Sequence, residues 1–251
     1  MSLTLYHGEP NGPSLTVLAA LFAKEVPAQL VHIDLAAGAR HGLACAHEPL
    51  VAMSIEGEGP VLVADGEAMT DSVFIACYLD DVGQGPALRP AEPYGRWQLM
   101  SWCRQMIERT APAAAYLGCR AHPPHASNAA LQGIGSVDLR ARWEQITAAE
   151  FSAEQLTDSR TKIHQAVDKI EARLDGRQWL MDGFSIADLE SFAWLAGMPA
   201  LLPAAFAGKP RTGAWLERVR SHPAVARALS QARTADPTAS WSVGPEINRW
   251  G

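Results

Sequence analysis

The sequence predicts a small α/β domain followed by an all-helical domain. Three observations carry this: strand and helix patterns in the order βαβ then ββα within residues 1–82, a Gly/Pro-rich junction at 83–91, and helical periodicity without a convincing strand from Glu92 onward. Leu3-Thr4-Leu5-Tyr6 alternates and stops at Gly8, and Glu9-Pro10-Asn11-Gly12-Pro13 is a dense turn signal. From Ser14, whose hydroxyl is placed to cap a first turn, Leu15, Leu18, Leu21 and Phe22 recur at helical spacing. Val31, Ile33 and Leu35 alternate with polar residues as a second strand, parallel to the first through a right-handed crossover. Val61-Leu62-Val63 and Glu67-Ala68-Met69 flank the short connection Ala64-Asp65-Gly66. A helix starts near Ser72 with Phe74, Ile75, Tyr78 and Leu79 as its expected buried stripe.

The second domain, 92–251, is expected to carry helices at 93–118, 158–175, 185–202, 212–220 and 223–233. Residues 119–150 read as a mostly irregular insertion with one helix around Trp143, and 234–251 as a tail bearing Trp241 and Trp250. Most other tryptophans, Trp97 among them, fall at core spacing.

Bulk properties narrow the function. A net charge of −6 with scattered Lys and Arg argues against a nucleic-acid partner, which needs a concentrated basic face. No apolar run approaches the roughly 20 residues of a membrane span, and Met1–Tyr6 lacks a signal-peptide pattern, so no membrane association and a cytoplasmic location are expected. Cys45, Cys77, Cys103 and Cys119 lack CxxC spacing and read as reduced fillers. His41, Cys45 and His47 match no common zinc pattern, so no metal is expected.

Four local features fall in a meaningful order: Ser14 at the strand-to-helix turn, Gly38-Ala39-Arg40-His41 after strand two, Gly57-Glu58-Gly59-Pro60-Val61-Leu62, and Thr70-Asp71-Ser72 at a helix start. With the capping box Ser185-Ile186-Ala187-Asp188 and the late helix start His222-Pro223-Ala224-Val225, the sequence resembles the glutathione transferases over nearly its whole length. The resemblance implies a thioredoxin-like first domain and glutathione as the co-substrate. It places Ser14 opposite the glutathione sulfur, where a hydrogen bond and a helix N-terminus favour a thiolate, with Asn11 as a second donor. It implies a cis bond at Gly59–Pro60 beside the cysteinyl part of the tripeptide, and Asp71 and Ser72 at its γ-glutamyl end, the acid suiting the ammonium, and the backbone amides and the Ser72 hydroxyl at the helix start suiting the carboxylate. Arg40 and His41 meet the glycyl carboxylate. Tyr116 and Trp241 are expected to line the pocket of an apolar aromatic substrate.

Within the family the chain is most similar to the bacterial β-etherases, which cleave lignin-derived aryl ethers at Cβ. The similarity lies in the serine-type N-terminus, the long helical domain and the tail ending Pro245-Glu246-Ile247-Asn248-Arg249-Trp250. Departures are Gly59 in place of an apolar residue, Met53-Ser54-Ile55 in place of Asn-Pro, and Glu58, an acid that repels the glycyl carboxylate. They leave open a non-catalytic subunit of a heterodimer; a glutathione-dependent isomerase or dehalogenase is a third reading. The resemblance otherwise implies a homodimer.

Overall fold

The computed structural model describes residues 2–37, 59–134 and 137–243. Strand β1 (Leu3–His7) runs into helix α1 (Pro13–Ala23), and β2 (Gln29–His32) returns parallel to β1 with Leu5 opposite Leu30. A 3-10 turn covers Leu35–Ala37. Strand β3 (Val61–Ala64) lies antiparallel to β1 with Leu5 opposite Leu62, and β4 (Glu67–Met69) pairs antiparallel with β3. The order β2-β1-β3-β4 places β1 centrally, and Leu5 and Leu62 are fully buried. Helix α2 (Ser72–Val82) completes the unit. The expected βαβ-ββα order is present, although β2 ends before Ile33 and Leu35.

A single residue ties the junction down. Lys24, just past α1, is buried and sends its ammonium to the carbonyls of Gly85 (2.6 Å) and Pro86 (3.0 Å) and to Asp80 (3.1 Å). Arg89 closes the knot by bonding Asp80 at 2.7 Å. A buried cation is tolerable only when paired in this way.

The helical domain opens with α3 (Pro93–Gln105), a π turn at Met106–Thr110 and α4 (Ala111–Ala121), one continuous rod. The region expected to be mostly irregular holds the expected helix around Trp143, α6 (Val137–Thr147), with Trp143 fully buried, and a second short helix before it, α5 (Asn128–Gln132). Next come α7 (Ala153–Arg173), α8 (Ile186–Leu195), the short α9 (Met198–Leu201) and α10 (Pro203–Phe206), α11 (Pro210–Arg220) and α12 (Pro223–Leu229). No strand lies beyond residue 92 among the described residues.

Every residue of α8 is buried, the mark of a helix enclosed on all sides. Its N-terminus is built by the predicted box: Asp188 Oδ2 accepts from the Ser185 amide (3.0 Å) and hydroxyl (2.8 Å). Asp188 Oδ1 accepts from the Leu180 amide (3.0 Å) and Trp215 Nε1 (2.9 Å), so one carboxyl joins α8, the preceding loop and α11. Burial pushes the Asp188 carboxyl up to about 6 against the pull of those bonds.

Two expectations about exposed aromatics are corrected. The buried face of α2 is Val73, Ile75, Ala76 and Leu79, while Phe74 is 61% exposed. Trp97 is 60% exposed, stacked on the equally exposed Tyr94 with ring centroids 5.4 Å apart. The cause is the angular phase of each helix: neighbours one residue apart point about 100° away from each other.

Candidate active site

The turn between β1 and α1 is shaped by three residues. Gly12 is the N-cap of α1 with φ 53° and ψ −139°, a backbone state that side chains other than hydrogen strain to adopt. A Cβ on it would also stand 3.2 Å from the Trp194 ring, and its amide donates to the Ala193 carbonyl at 3.1 Å. Pro13 follows at the first helical position, where its missing N–H costs nothing. Ser14 therefore sits one residue inside the helix and does not cap it. Its Oγ is buried and accepts from the Gly8 amide at 3.0 Å, which folds the turn back onto β1 and leaves the hydroxyl hydrogen for another acceptor.

Across the sheet from this turn, Tyr6 pairs with Val61, which sets Pro60 beside the end of β1. The Gly59–Pro60 bond is cis, as the resemblance implies. Gly8 and Gly59 both pack on the Leu35 side chain, where added Cβ atoms would come within 2.7 Å and 3.3 Å of it, so the two backbones share one wall.

The start of α2 closes the third side. Asp71 is its N-cap, held at φ 73°, and Oδ1 accepts from the Val73 (2.9 Å) and Phe74 (3.2 Å) amides. A non-glycine residue held in that region is a strained position of the kind that clusters at ligand sites. The Ser72 hydroxyl donates to Glu190 Oε2 at 3.1 Å, and the same oxygen accepts from Thr16 Oγ1 at 2.8 Å. In this structure the Ser72 hydroxyl hydrogen is therefore directed to Glu190.

The C-terminal tail crosses the same turn. Asn11 Nδ2 donates to the Ser240 carbonyl at 2.9 Å, while its Oδ1 is buried with no partner among the described residues. Glu9 accepts from the Arg233 and Thr234 amides and the Thr234 hydroxyl, and bonds His32 Nε2 at 3.0 Å. Trp241, buried, fills the space left by Gly118, where a Cβ would fall 2.1 Å from its ring. His7 lies beneath, edge-on to His32, and burial lowers its pKa.

The structure thus gathers Asn11, Ser14, Gly59, Pro60, Asp71 and Ser72 around one corner of the sheet, with Trp241 beside Asn11. Tyr116 is engaged elsewhere: its hydroxyl donates to Gln155 (2.9 Å) and accepts from the Ser152 amide (3.2 Å) at the start of α7. Arg40, His41 and Glu58 lie outside the described residues. Sequence reading missed Gly12, whose signal is a glycine directly before a helix-starting proline. It also missed Glu9, Trp194 and Glu190; a second carboxylate, two residues past the acid of the capping box in an otherwise apolar helix, is the available hint for the last.

The model of the glutathione S-transferase N-terminal domain matches residues 1–81, and that of the C-terminal domain matches residues 124–223. The chain belongs to the glutathione S-transferase family. Protein LigF of Sphingobium sp. strain SYK-6 is 26% identical to this transferase over 94% of the chain and 96% of its own length. The crystal structure of that protein, titled as the beta-etherase LigF, superposes with a TM-score of 0.82 at 24% identity, covering 92% of this chain and all of the other. A glutathione transferase from Burkholderia graminis, solved with two glutathione molecules per subunit, gives a TM-score of 0.69 at 20% identity over 93% of this chain and 90% of its own. The likeness to solved transferase structures therefore extends over more than nine-tenths of the chain.

Proposed function

We propose that this transferase binds glutathione at the corner formed by Ser14, Gly59–Pro60 and Asp71–Ser72, and directs it against an apolar aromatic electrophile. The observation that carries the reading is the Ser14 hydroxyl: it is fixed by the Gly8 amide at 3.0 Å, and its own hydrogen remains available at the N-terminus of α1. A fixed hydroxyl donor beside a helix N-terminus fits a thiolate and discriminates against the neutral thiol. Asn11 stands beside it with one amide hydrogen already committed to the tail. The Gly59 backbone offers pairing to the cysteinyl segment, Asp71 faces the γ-glutamyl ammonium, and Arg40 and His41 take the glycyl carboxylate. Trp241 forms part of the acceptor pocket, with Tyr116 further along its helical wall.

The specific reaction we propose is cleavage of a β-aryl ether, supported by the similarity to LigF along the whole chain. Glutathione supplies a sulfur nucleophile that forms a C–S bond at Cβ as the Cβ–O bond breaks and the phenolate departs to take up a proton. The protein's part is to hold the sulfur ionised and in line, an orientation effect worth several powers of ten. Incubation of the purified protein with glutathione and a β-aryl ether ketone is expected to yield a thioether and a free phenol in equal amounts. Absence of both, with glutathione shown to bind, refutes the ether-cleaving assignment and leaves the transferase reading.

Glu58 motivates a second reading, a non-catalytic subunit that completes a partner's site. Calorimetric titration separates them: no heat of glutathione binding to the isolated protein favours the second. We also propose a homodimer, supported by the exposed aromatics Phe74, Tyr94 and Trp97.

A further inference from the structure

After α12 the chain crosses the β1–α1 turn, and two side chains of that turn hold it. Glu9 Oε2 accepts from the amides of Arg233 (3.0 Å) and Thr234 (3.4 Å) and from the Thr234 hydroxyl (3.2 Å), while its Oε1 lies 3.0 Å from Nε2 of His32 on β2. The Glu9 and His32 side chains are each only 10% exposed. An ionised carboxylate accepts and never donates, so Glu9 gathers three donors of the tail and ties them to the sheet through His32. Two residues on, Asn11 Nδ2 donates to the Ser240 carbonyl.

Between these two ties the tail is braced on itself. Asp236 Oδ1 accepts from the Thr238 amide (3.0 Å) and hydroxyl (2.6 Å), and the Ser240 amide donates to the Pro237 carbonyl at 3.0 Å. Local bonds of this kind stiffen a connector, so a shift at Thr234 is carried to Trp241 and not absorbed on the way. Trp241 ends the braced stretch in a seat left by two glycines of the helical domain. A Cβ on Gly118 would fall 2.1 Å from its ring, and one on Gly197 would fall 3.4 Å from the ring and 2.7 Å from the Thr238 carbonyl oxygen. The ties therefore belong to the first domain and the seat to the second, and the tail spans the two beside Ser14.

We infer that Glu9 is a positioning residue for the acceptor pocket: by fixing Arg233 and Thr234 on the β1–α1 turn it sets the reach of the tail and holds Trp241 where the aromatic part of the second substrate lies. The inference rests on the reading of Trp241 as part of that pocket. Glu9 acts through the tail and not on either substrate.

Two measurements on the full chain test it. Trypsin cuts after arginine, and the amide of the Arg233–Thr234 bond is one of the groups Glu9 holds, so Glu9→Ala is expected to speed release of residues 234–251 about tenfold or more, read by mass. Calorimetry then compares glutathione with S-benzylglutathione, whose benzyl group sits on the sulfur and enters the acceptor pocket. The wild-type protein is expected to prefer S-benzylglutathione by about tenfold, and Glu9→Ala to bring that preference toward parity while still binding glutathione. Glu9→Gln, which keeps one acceptor oxygen, is expected to lie between the two in both measurements and keeps the test decisive should the Ala variant fold poorly. An unchanged cleavage rate overturns the tie between Glu9 and the tail; faster cleavage with an undiminished preference overturns the positioning role and leaves glutathione binding established. A wild-type protein that binds neither ligand overturns this inference together with the glutathione reading.

Discussion

Removing the Ser14 hydroxyl gives the sharpest account of how the first turn acts on sulfur. A free thiol titrates at about 8.5, so at pH 7 only about 3% of it is thiolate. In the structure the Ser14 oxygen has one lone pair on the Gly8 amide and one hydrogen left to give. A hydrogen bond to a charged group contributes about 1.5–3 kcal/mol, or roughly one to two pKa units. The helix N-terminus adds a smaller amount, about 0.3–1 kcal/mol, which Ser14→Ala retains. The bound thiol is therefore expected to titrate near pH 7 in the wild-type protein and about one unit higher in the variant, where the thiolate fraction at pH 7 drops about fivefold. Titrating the thiolate absorbance of bound glutathione reads this directly, and the deficit in kcat/KM is expected to shrink above about pH 9, where both forms are ionised. The Gly8 amide loses its partner in the variant at a cost of about 1–3 kcal/mol in stability, but an apparent pKa does not depend on the fraction folded. Equal thiol pKa values in the two proteins would refute the argument that Ser14 ionises the sulfur.

Other expectations follow from single contacts. Gly12→Ala forces a Cβ into a left-handed backbone and to within 3.2 Å of Trp194, so a loss of about 1–3 kcal/mol in urea denaturation is expected, and wild-type stability would show that the turn relaxes freely. Asp188→Ala leaves the Leu180 and Ser185 amides and the Trp215 indole without their acceptor and is expected to cost about 3 kcal/mol by the same assay. Because the Asp188 carboxyl is raised to about 6, its contribution is fully present below about pH 4 and is lost as pH rises through about 6; Asp188→Asn is expected to flatten that slope, and an unchanged pH profile contradicts the assigned burial. Trp97→Glu changes a side chain that is 60% exposed and is expected to convert a dimer to monomer in sedimentation without lowering stability, whereas an unaltered sedimentation coefficient moves the interface elsewhere.

What the sequence disclosed was whatever is encoded locally. Strand β1, the turn and α1 are read from alternation, turn residues and helical spacing that all lie within about twenty positions, and each reinforces the next. The capping box at Ser185 and Asp188 is likewise a matter of three residues. Ser14 was misread as a cap because a serine before an apolar run is the commonest N-cap pattern, and the competing device, a left-handed glycine ahead of a proline, shifts the cap two residues earlier. Helix α6 is the one expected around Trp143, on a stripe of only Leu139, Trp143 and Ile146, whereas the five-residue α5 is too short to carry a stripe and lies among prolines and glycines that mask it. Phe74 and Trp97 read as buried because aromatic residues usually are, while the angular phase of their helices turns both outward.

Glu190 had no such local signal, since its partners Thr16 and Ser72 lie 174 and 118 residues away. Its place becomes intelligible from helix geometry. Asp188 and Glu190 are two positions apart on α8, about 200° around the helix, so they necessarily face opposite sides. Asp188 points into the helical domain, toward Trp215 and Leu180; Glu190 points across the boundary, toward α1 and α2. The same face carries the Ala193 carbonyl that receives the Gly12 amide and the Trp194 ring that rests against Gly12. A helix buried on every side is usually held by apolar packing alone, yet here each acid ties down the two elements on its own side. The two acids thus stand two residues apart on one rod, and a displacement of α8 that frees the Asp188 box also withdraws Glu190 from the first turn of α1 and from Ser72.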